Sequence, residues 1–191
     1  ALADYQRWVL KDYKAALEQS TRGQLLSPGN AELLSANALA EEYLGRWDAA
    51  LEHLRQAERL DPRSVLAQRR LGEAFLLNRR YEEARDVCDR GLLLAPADLW
   101  MINQKARTFL GRGDLDGARK MLKAASKDVE PTELAAFIAN IYDLVWVLDE
   151  GQREILLRLT PSAFNDDRGA WGLCLLQASV LRGDTAKVSY Y

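Results

Sequence analysis

Proline, cysteine and histidine are all scarce in this chain of 191 residues, which holds five, two and one of them respectively. So few prolines argue against a disordered, proline-rich polymer, and 48% hydrophobic with 28% charged residues is ordinary for a folded domain. Two cysteines make no disulfide framework, and Cys88 and Cys174 each fall in an apolar helical pattern, where a thiol behaves as a small hydrophobe. Such thiols suit a reducing cytoplasm, the compartment expected here, with the periplasm as the alternative. His53 has no histidine or cysteine at metal-ligand spacing, so it is expected to be an exposed or partly covered helix residue, not a ligand or a base.

Long apolar runs are missing as well. None approaches the roughly 18 residues that a membrane helix needs, and no basic amino-terminal stretch precedes a secretory core. The net charge of −2 lacks the basic excess that phosphate neutralisation requires. The arginine doublets Arg69-Arg70 and Arg79-Arg80 both have acidic neighbours. Neither membrane insertion nor nucleic-acid binding is therefore expected. There is no glycine-rich phosphate loop, and Asp166-Asp167 lacks the pattern of a calcium-binding loop. The acidic pairs Glu41-Glu42 and Glu82-Glu83 suit a solvated helix surface better than an acid/base pair in a cleft. No catalytic residue and no cofactor is expected.

What the chain does have is a ruler. Pro28, Pro62 and Pro96 are spaced by 34 residues, as are Ala16, Ala50, Ala84 and Ala118. Three places before each of these alanines stands a large residue, Tyr13, Trp47, Tyr81 or Leu115, able to fill the gap between successive helix pairs while the alanine permits close approach. Seven places after each alanine a second small series follows, Gly23, Ala57, Gly91 and Ala125, two turns along the same helix face. Asn30, Ser64, Asp98 and Thr132 are good N-cap residues where the next helix should begin. A residue before proline is pushed out of the helical region, so the prolines mark the breaks.

The chain resembles the tetratricopeptide-repeat family, whose unit of 34 residues is a pair of antiparallel helices that buries its apolar face only by stacking on its neighbours. The unit Val65 to Asp98 carries the match best, with Leu71-Gly72, Phe75, Tyr81, Glu82-Glu83-Ala84 and Pro96 at the family positions. Ala31 to Ser64 keeps Ala38, Gly45, Trp47, Ala50, Leu54, Ala57 and Pro62, but has Glu41 where an aromatic is usual, which should weaken one packing site. Leu99 to Thr132 keeps Ala106, Phe109, Gly113, Ala118, Leu122 and Ala125, with its proline displaced to Pro131. The resemblance implies an all-α fold, a right-handed α-solenoid of stacked antiparallel helix pairs in one repeat domain. Its expected divisions are 1–30 as a partial repeat, 31–64, 65–98 and 99–132 as full repeats, 133–164 as a divergent repeat and 165–191 as a truncated one.

Beyond Pro131 the ruler fails. The apolar stretch Leu134 to Leu148 is long enough for a helix of about four turns, broken at Gly151. Glu154 to Leu159 reads as a short second helix, and Asn165 to Gly169 as a polar turn. Trp171 to Leu181 resembles another first helix. The chain begins without methionine and stops in an expected helix at Tyr190-Tyr191, so it reads as a segment of a longer protein.

In the family that the chain resembles, first helices line a concave groove that receives a peptide or a partner helix. That arrangement implies layers of Glu32, Ser35, Leu39 and Glu42, then Leu66, Arg69, Arg70 and Glu73, then Trp100, Asn103, Gln104 and Arg107, then Leu134, Phe137, Ile138 and Ile141. The candidate peptide-binding residues are Arg69, Arg70, Glu73, Trp100, Asn103, Gln104, Arg107, Phe137 and Ile141. They suit an acidic or carboxylate-bearing protein or peptide with a hydrophobic anchor. The carboxylate clamp of the family's chaperone-binding members is not expected, because Glu73 follows Arg69 by one turn and Leu134 and Ile138 stand where basic residues should. The implied function is a noncatalytic protein-interaction scaffold. The alternative is a regulatory or sensory repeat segment of a larger bacterial signalling enzyme or transcription regulator.

Overall fold

The computed structural model describes residues 5–125 and 127–184. Every regular element among them is helical: α1 (Tyr13–Leu26), α2 (Ala31–Tyr43), α3 (Trp47–Leu60), α4 (Val65–Leu77), α5 (Tyr81–Leu94), α6 (Leu99–Leu110), α7 (Leu115–Ala125), α8 (Pro131–Asn140), α9 (Glu150–Leu156) and α10 (Arg168–Leu181). A π-helical turn at Tyr5–Val9 and short 3-10 turns complete them. The fold is all-α, built of stacked helix pairs. Two compact units divide the chain, Ala1–Ala95 and Pro96–Tyr191. The helix expected to end at Tyr190-Tyr191 lies outside the described residues.

In the first unit each helix packs on the next from α1 to α5, and the two first helices α2 and α4 also touch. The sequence enforces this pairing through capping and through turns. Asn30 accepts from the backbone N–H groups of Glu32 and Leu33, and Ser64 accepts from that of Ala67. Between first and second helices the chain reverses through one left-handed residue, Gly45 (φ +72) in one repeat and Arg79 (φ +57) in the next. Ala50, Ala57 and Ala84 are wholly buried, in keeping with close helix approach. At Gly23 a Cβ would come within 3.2 Å of the Leu33 side chain, so α1 and α2 meet where the sequence keeps a glycine. Leu54, Leu71, Phe75 and Val87 fill the core between the helices, with Tyr81 packed on its edge.

At the Glu41 position, where an aromatic is usual, the structure shows a polar pairing. The Glu41 carboxylate is buried and lies 2.7 Å from Nδ1 of His53, one helix away. One period further on, the same two places hold Phe75 and Val87, both in the core. A polar pair therefore occupies a site that the next repeat fills with an aromatic and an aliphatic side chain.

In the second unit α6 packs on α7 and α8, and α8 on α9 and α10. Asp98 caps α6 by accepting from the Met101 N–H at 2.9 Å. Gly113 (φ +76) makes the left-handed turn before α7. Cys88, at the α5 position that Leu54 and Leu122 hold in α3 and α7, is wholly buried like them; Cys174 is buried in α10.

Several expectations past Pro131 need correction. Thr132 is not an N-cap: Pro131 is the first helical residue, where its missing N–H needs no acceptor and its φ is already helical. The stretch Leu134 to Leu148 is not one helix, because α8 stops at Asn140 and Ile141 turns extended. Tyr142 (φ +61) and Asp143 (φ +52) are then left-handed, and Val145–Val147 forms a 3-10 turn that buries Val145, Val147 and Leu148. An apolar run without a single period carries no instruction to stay helical. Nor does Gly151 break anything, since it lies within α9, which spans Glu150–Leu156 in place of Glu154 to Leu159. The break is set by the capping box of Asp149 and Gln152, whose side chains each accept from the other residue's backbone N–H. Finally, α10 begins at Arg168, three residues before Trp171, with Asp167 as its cap. Only Asn165 and Asp166 of the expected polar turn are left-handed.

Candidate functional site

Each unit presents its own set of the residues singled out from the sequence. In the first, Arg69, Arg70 and Glu73 lie within one turn or so of α4 and are all half-buried. Coupled to them electrostatically is Glu42, near the end of α2. Its carboxyl is pushed from 4.5 up to about 7, first by burial and then by the Glu73 carboxylate, against the opposing pull of the Arg70 guanidinium. Two carboxylates and arginines therefore share this face, and a carboxyl that ionises near neutrality is held among them. Glu42 stands in the first of the expected layers, but no sequence feature signals that shift, which depends on how deeply two helices cover a side chain.

In the second unit Trp100, Asn103, Gln104 and Arg107 recur on α6 at the spacing of one helix face. They do not share one environment. Trp100 remains 41% exposed, whereas Asn103 and Gln104 are buried, Asn103 completely. The side-chain amide of Asn103 has no hydrogen-bond partner at either atom among the described residues. Gln104 likewise belongs to the interior, so the surface of this face is carried by its two ends.

At one end, the Trp100 indole meets the Phe137 ring of α8 edge-on, with centroids 5.2 Å apart and planes at 86°. Such a T-shaped pair stiffens both rings and leaves an aromatic ledge. At the other end, the Arg107 guanidinium lies 4.1 Å above the ring of Tyr142. Tyr142 was missed from the sequence because an uninterrupted helix would have carried it elsewhere. The left-handed turn at 142 and 143 is what brings it under Arg107. Ile141 is half-buried at the start of that turn, while Leu134 and Ile138 of the same expected layer are core residues, 1% and 0% exposed.

Among the described residues no group of three or more histidine, cysteine or acidic side chains could hold a metal ion. Nor is any helix among them long and apolar enough to cross a membrane. Cys174 is no nucleophile at neutral pH, since burial, helped by the nearby Asp143 charge, pushes its thiol up to about 11.

Helix pairs set at a period of 34 residues, each completed only by its neighbours, define an α-solenoid repeat protein. Residues 35–98 match the family model of the tetratricopeptide repeat, so the chain carries tetratricopeptide repeats. Two relatives share part of it. The chain is 33% identical over 88 residues to small glutamine-rich tetratricopeptide repeat-containing protein 2 of Mycosarcoma maydis, covering 46% of this chain and 25% of that protein. It is 30% identical over 118 residues to BBSome complex member BBS4 of Bos taurus, covering 61% of this chain and 22% of that one. It thus spans about a quarter of the length of the curated relatives it matches.

Solved structures agree in fold. A crystal structure of MamA superimposes with a TM-score of 0.64 at 16% identity, covering 98% of each chain. TTC0263, a thermophilic tetratricopeptide-repeat protein of Thermus thermophilus, gives a TM-score of 0.57 at 24% identity over 90% of this chain and 94% of that one. Repeats of this kind make protein-protein interaction scaffolds, and their fold is generally noncatalytic.

Proposed function

We propose that this scaffold receives a peptide or partner segment along the Trp100 to Arg107 face of α6, with Phe137 and Ile141 as the floor for its hydrophobic anchor. The supporting observation is the pairing of an exposed aromatic ledge, Trp100 on Phe137, with a guanidinium held in place over Tyr142 on the same helix. A stacked guanidinium uses its face for the ring, and a carboxylate is met by its edge, so a carboxylate-bearing segment with an apolar side chain about two turns away fits both features. The ordered aromatics lower the entropy lost on binding. On the first unit, Arg69 and Arg70 offer a second place for an acidic group, tempered by Glu42 and Glu73. One relative is named as a member of the BBSome complex, which agrees with a role in assembly.

The partner is to be captured with this chain as bait and its binding segment titrated against the parent, Trp100→Ala and Arg107→Ala at two salt concentrations. Both variants should keep their helicity and lose affinity, with the salt dependence reduced only for Arg107→Ala. Parental affinity in both variants would overturn the assignment of this face.

A further inference from the structure

A second recess in the same unit lies between the 141–143 turn and α10, and it shares no lining residue with the Trp100 to Arg107 face. It is a cavity of about 340 Å3, at the small end of the range for ligand pockets and roomy enough for one or two side chains. Val145, Trp146, Leu176, Val180 and Leu181 make its walls apolar. Trp146, Val180 and Leu181 remain 44%, 56% and 47% exposed, so the apolar wall is open to solvent.

Two oxygen-bearing side chains interrupt that wall. The Asp143 carboxylate, part of the lining, takes part in no hydrogen bond or ion pair among the described residues. The Gln177 side-chain oxygen is buried and accepts from nothing among them. A neighbouring cation at the end of α10, Arg182, is already held by Glu150 at 3.0 Å. Asp143 also sits in the second of two successive left-handed conformations that non-glycine residues rarely adopt. The backbone beyond it is tied down, because the Arg119 guanidinium donates to the carbonyls of Trp146 and Val147 at 3.2 and 3.1 Å. A carboxylate is thus held, at a cost in backbone strain, beside an apolar groove in which the buried Gln177 oxygen is another acceptor.

We propose that this recess seats an apolar segment of a partner protein that carries an arginine or lysine, with Asp143 and the Gln177 side-chain oxygen accepting from its cationic head. The Asp143 carboxylate can only accept and so selects a donor of positive charge, and the apolar walls select a head carried on an aliphatic stem among apolar neighbours. Trp146 adds an indole surface suited to a cation. An acidic or purely apolar segment would leave both acceptors unmatched.

The test uses three short synthetic peptides of one alanine- and leucine-containing sequence, with arginine, citrulline or glutamate at the centre, titrated into the full chain and followed by amide NMR. The arginine peptide should shift the signals of 143–147 and of the Gln177 side chain, and bind about fivefold more tightly than its citrulline isostere. The glutamate peptide should bind weakest. Asp143→Asn keeps a residue that tolerates the left-handed turn, so it should leave the melting temperature unchanged and erase the arginine preference. Val180→Lys should place a cation in the recess from within and block all three. Equal affinity for arginine and citrulline, an unaltered preference in Asp143→Asn, or shifts confined to residues elsewhere would each overturn the proposal.

Discussion

Replacing His53 by valine should take from the Glu41 carboxylate its hydrogen-bond partner across the helix pair. That carboxylate retains 8% of its side-chain exposure, and its bond to Nδ1 is 2.7 Å long. A buried charge that loses its partner typically costs about 3–5 kcal/mol. Partial rescue by water through the half-open His53 site puts the expected loss at roughly 2–3 kcal/mol. The informative variant is the double exchange Glu41→Phe with His53→Val, which installs in α2 and α3 the side chains that Phe75 and Val87 supply one repeat later. Because a buried polar pair replaced by apolar groups of fitting volume is often neutral or stabilising by about 1–4 kcal/mol, the double variant should equal or exceed the parent. Urea unfolding followed by circular dichroism gives the free energies. Hydrogen exchange at α2 and α3 guards against the piecewise unfolding of repeat proteins. A double variant as unstable as His53→Val alone would show that the site is not shaped like its successor and would refute the reasoning.

Two further outcomes follow from single positions. Glu42 holds a proton up to about pH 7 in the folded chain, against 4.5 ordinarily, so the folded state keeps a proton that the unfolded chain has released. Its contribution to stability therefore falls as pH rises from 4.5 and levels off above 7, by roughly 3 kcal/mol in all; in Glu42→Gln this slope should vanish, and an unchanged pH profile would contradict the placement. Arg79 adopts φ +57 where the equivalent residues are Gly45 and Gly113, so Arg79→Gly should stabilise the chain by about 1 kcal/mol in urea unfolding, whereas a loss of stability would mean that its side chain holds the turn.

Where the 34-residue spacing holds, the sequence was nearly sufficient. Asn30, Ser64 and Asp98 cap the helices that follow them, Ala50 and Ala84 are buried, and each second helix from α1 to α7 starts at Tyr13, Trp47, Tyr81 or Leu115. These features are local or recur at fixed distance, so one residue type reports one environment. The site was less legible. Asn103 and Arg107 occupy one helix face, yet one is wholly buried and the other stacks on Tyr142, a distinction made by α8 and the turn after it. The polar partnership of Glu41 with His53 was hidden for a related reason: each alone looks like a departure from the pattern, and only the pair is a substitution of it. The capping box at Asp149 and Gln152 was present in the sequence and outweighed the glycine that suggested a break in the helix.

The left-handed turn also keeps time along the chain. Gly45, Arg79 and Gly113 follow one another at the full period, and Gly183 stands 70 residues after Gly113, two more than two periods. Along the sequence this amounts to a stacking fault: 131–164 slips the phase by two residues, and α10 resumes it. The face and the recess proposed above for binding both adjoin the Ile141–Asp143 turn, which lies inside the fault. Regular repeats give this chain its period, and the place where the register is lost gives it features that no other described repeat in it duplicates.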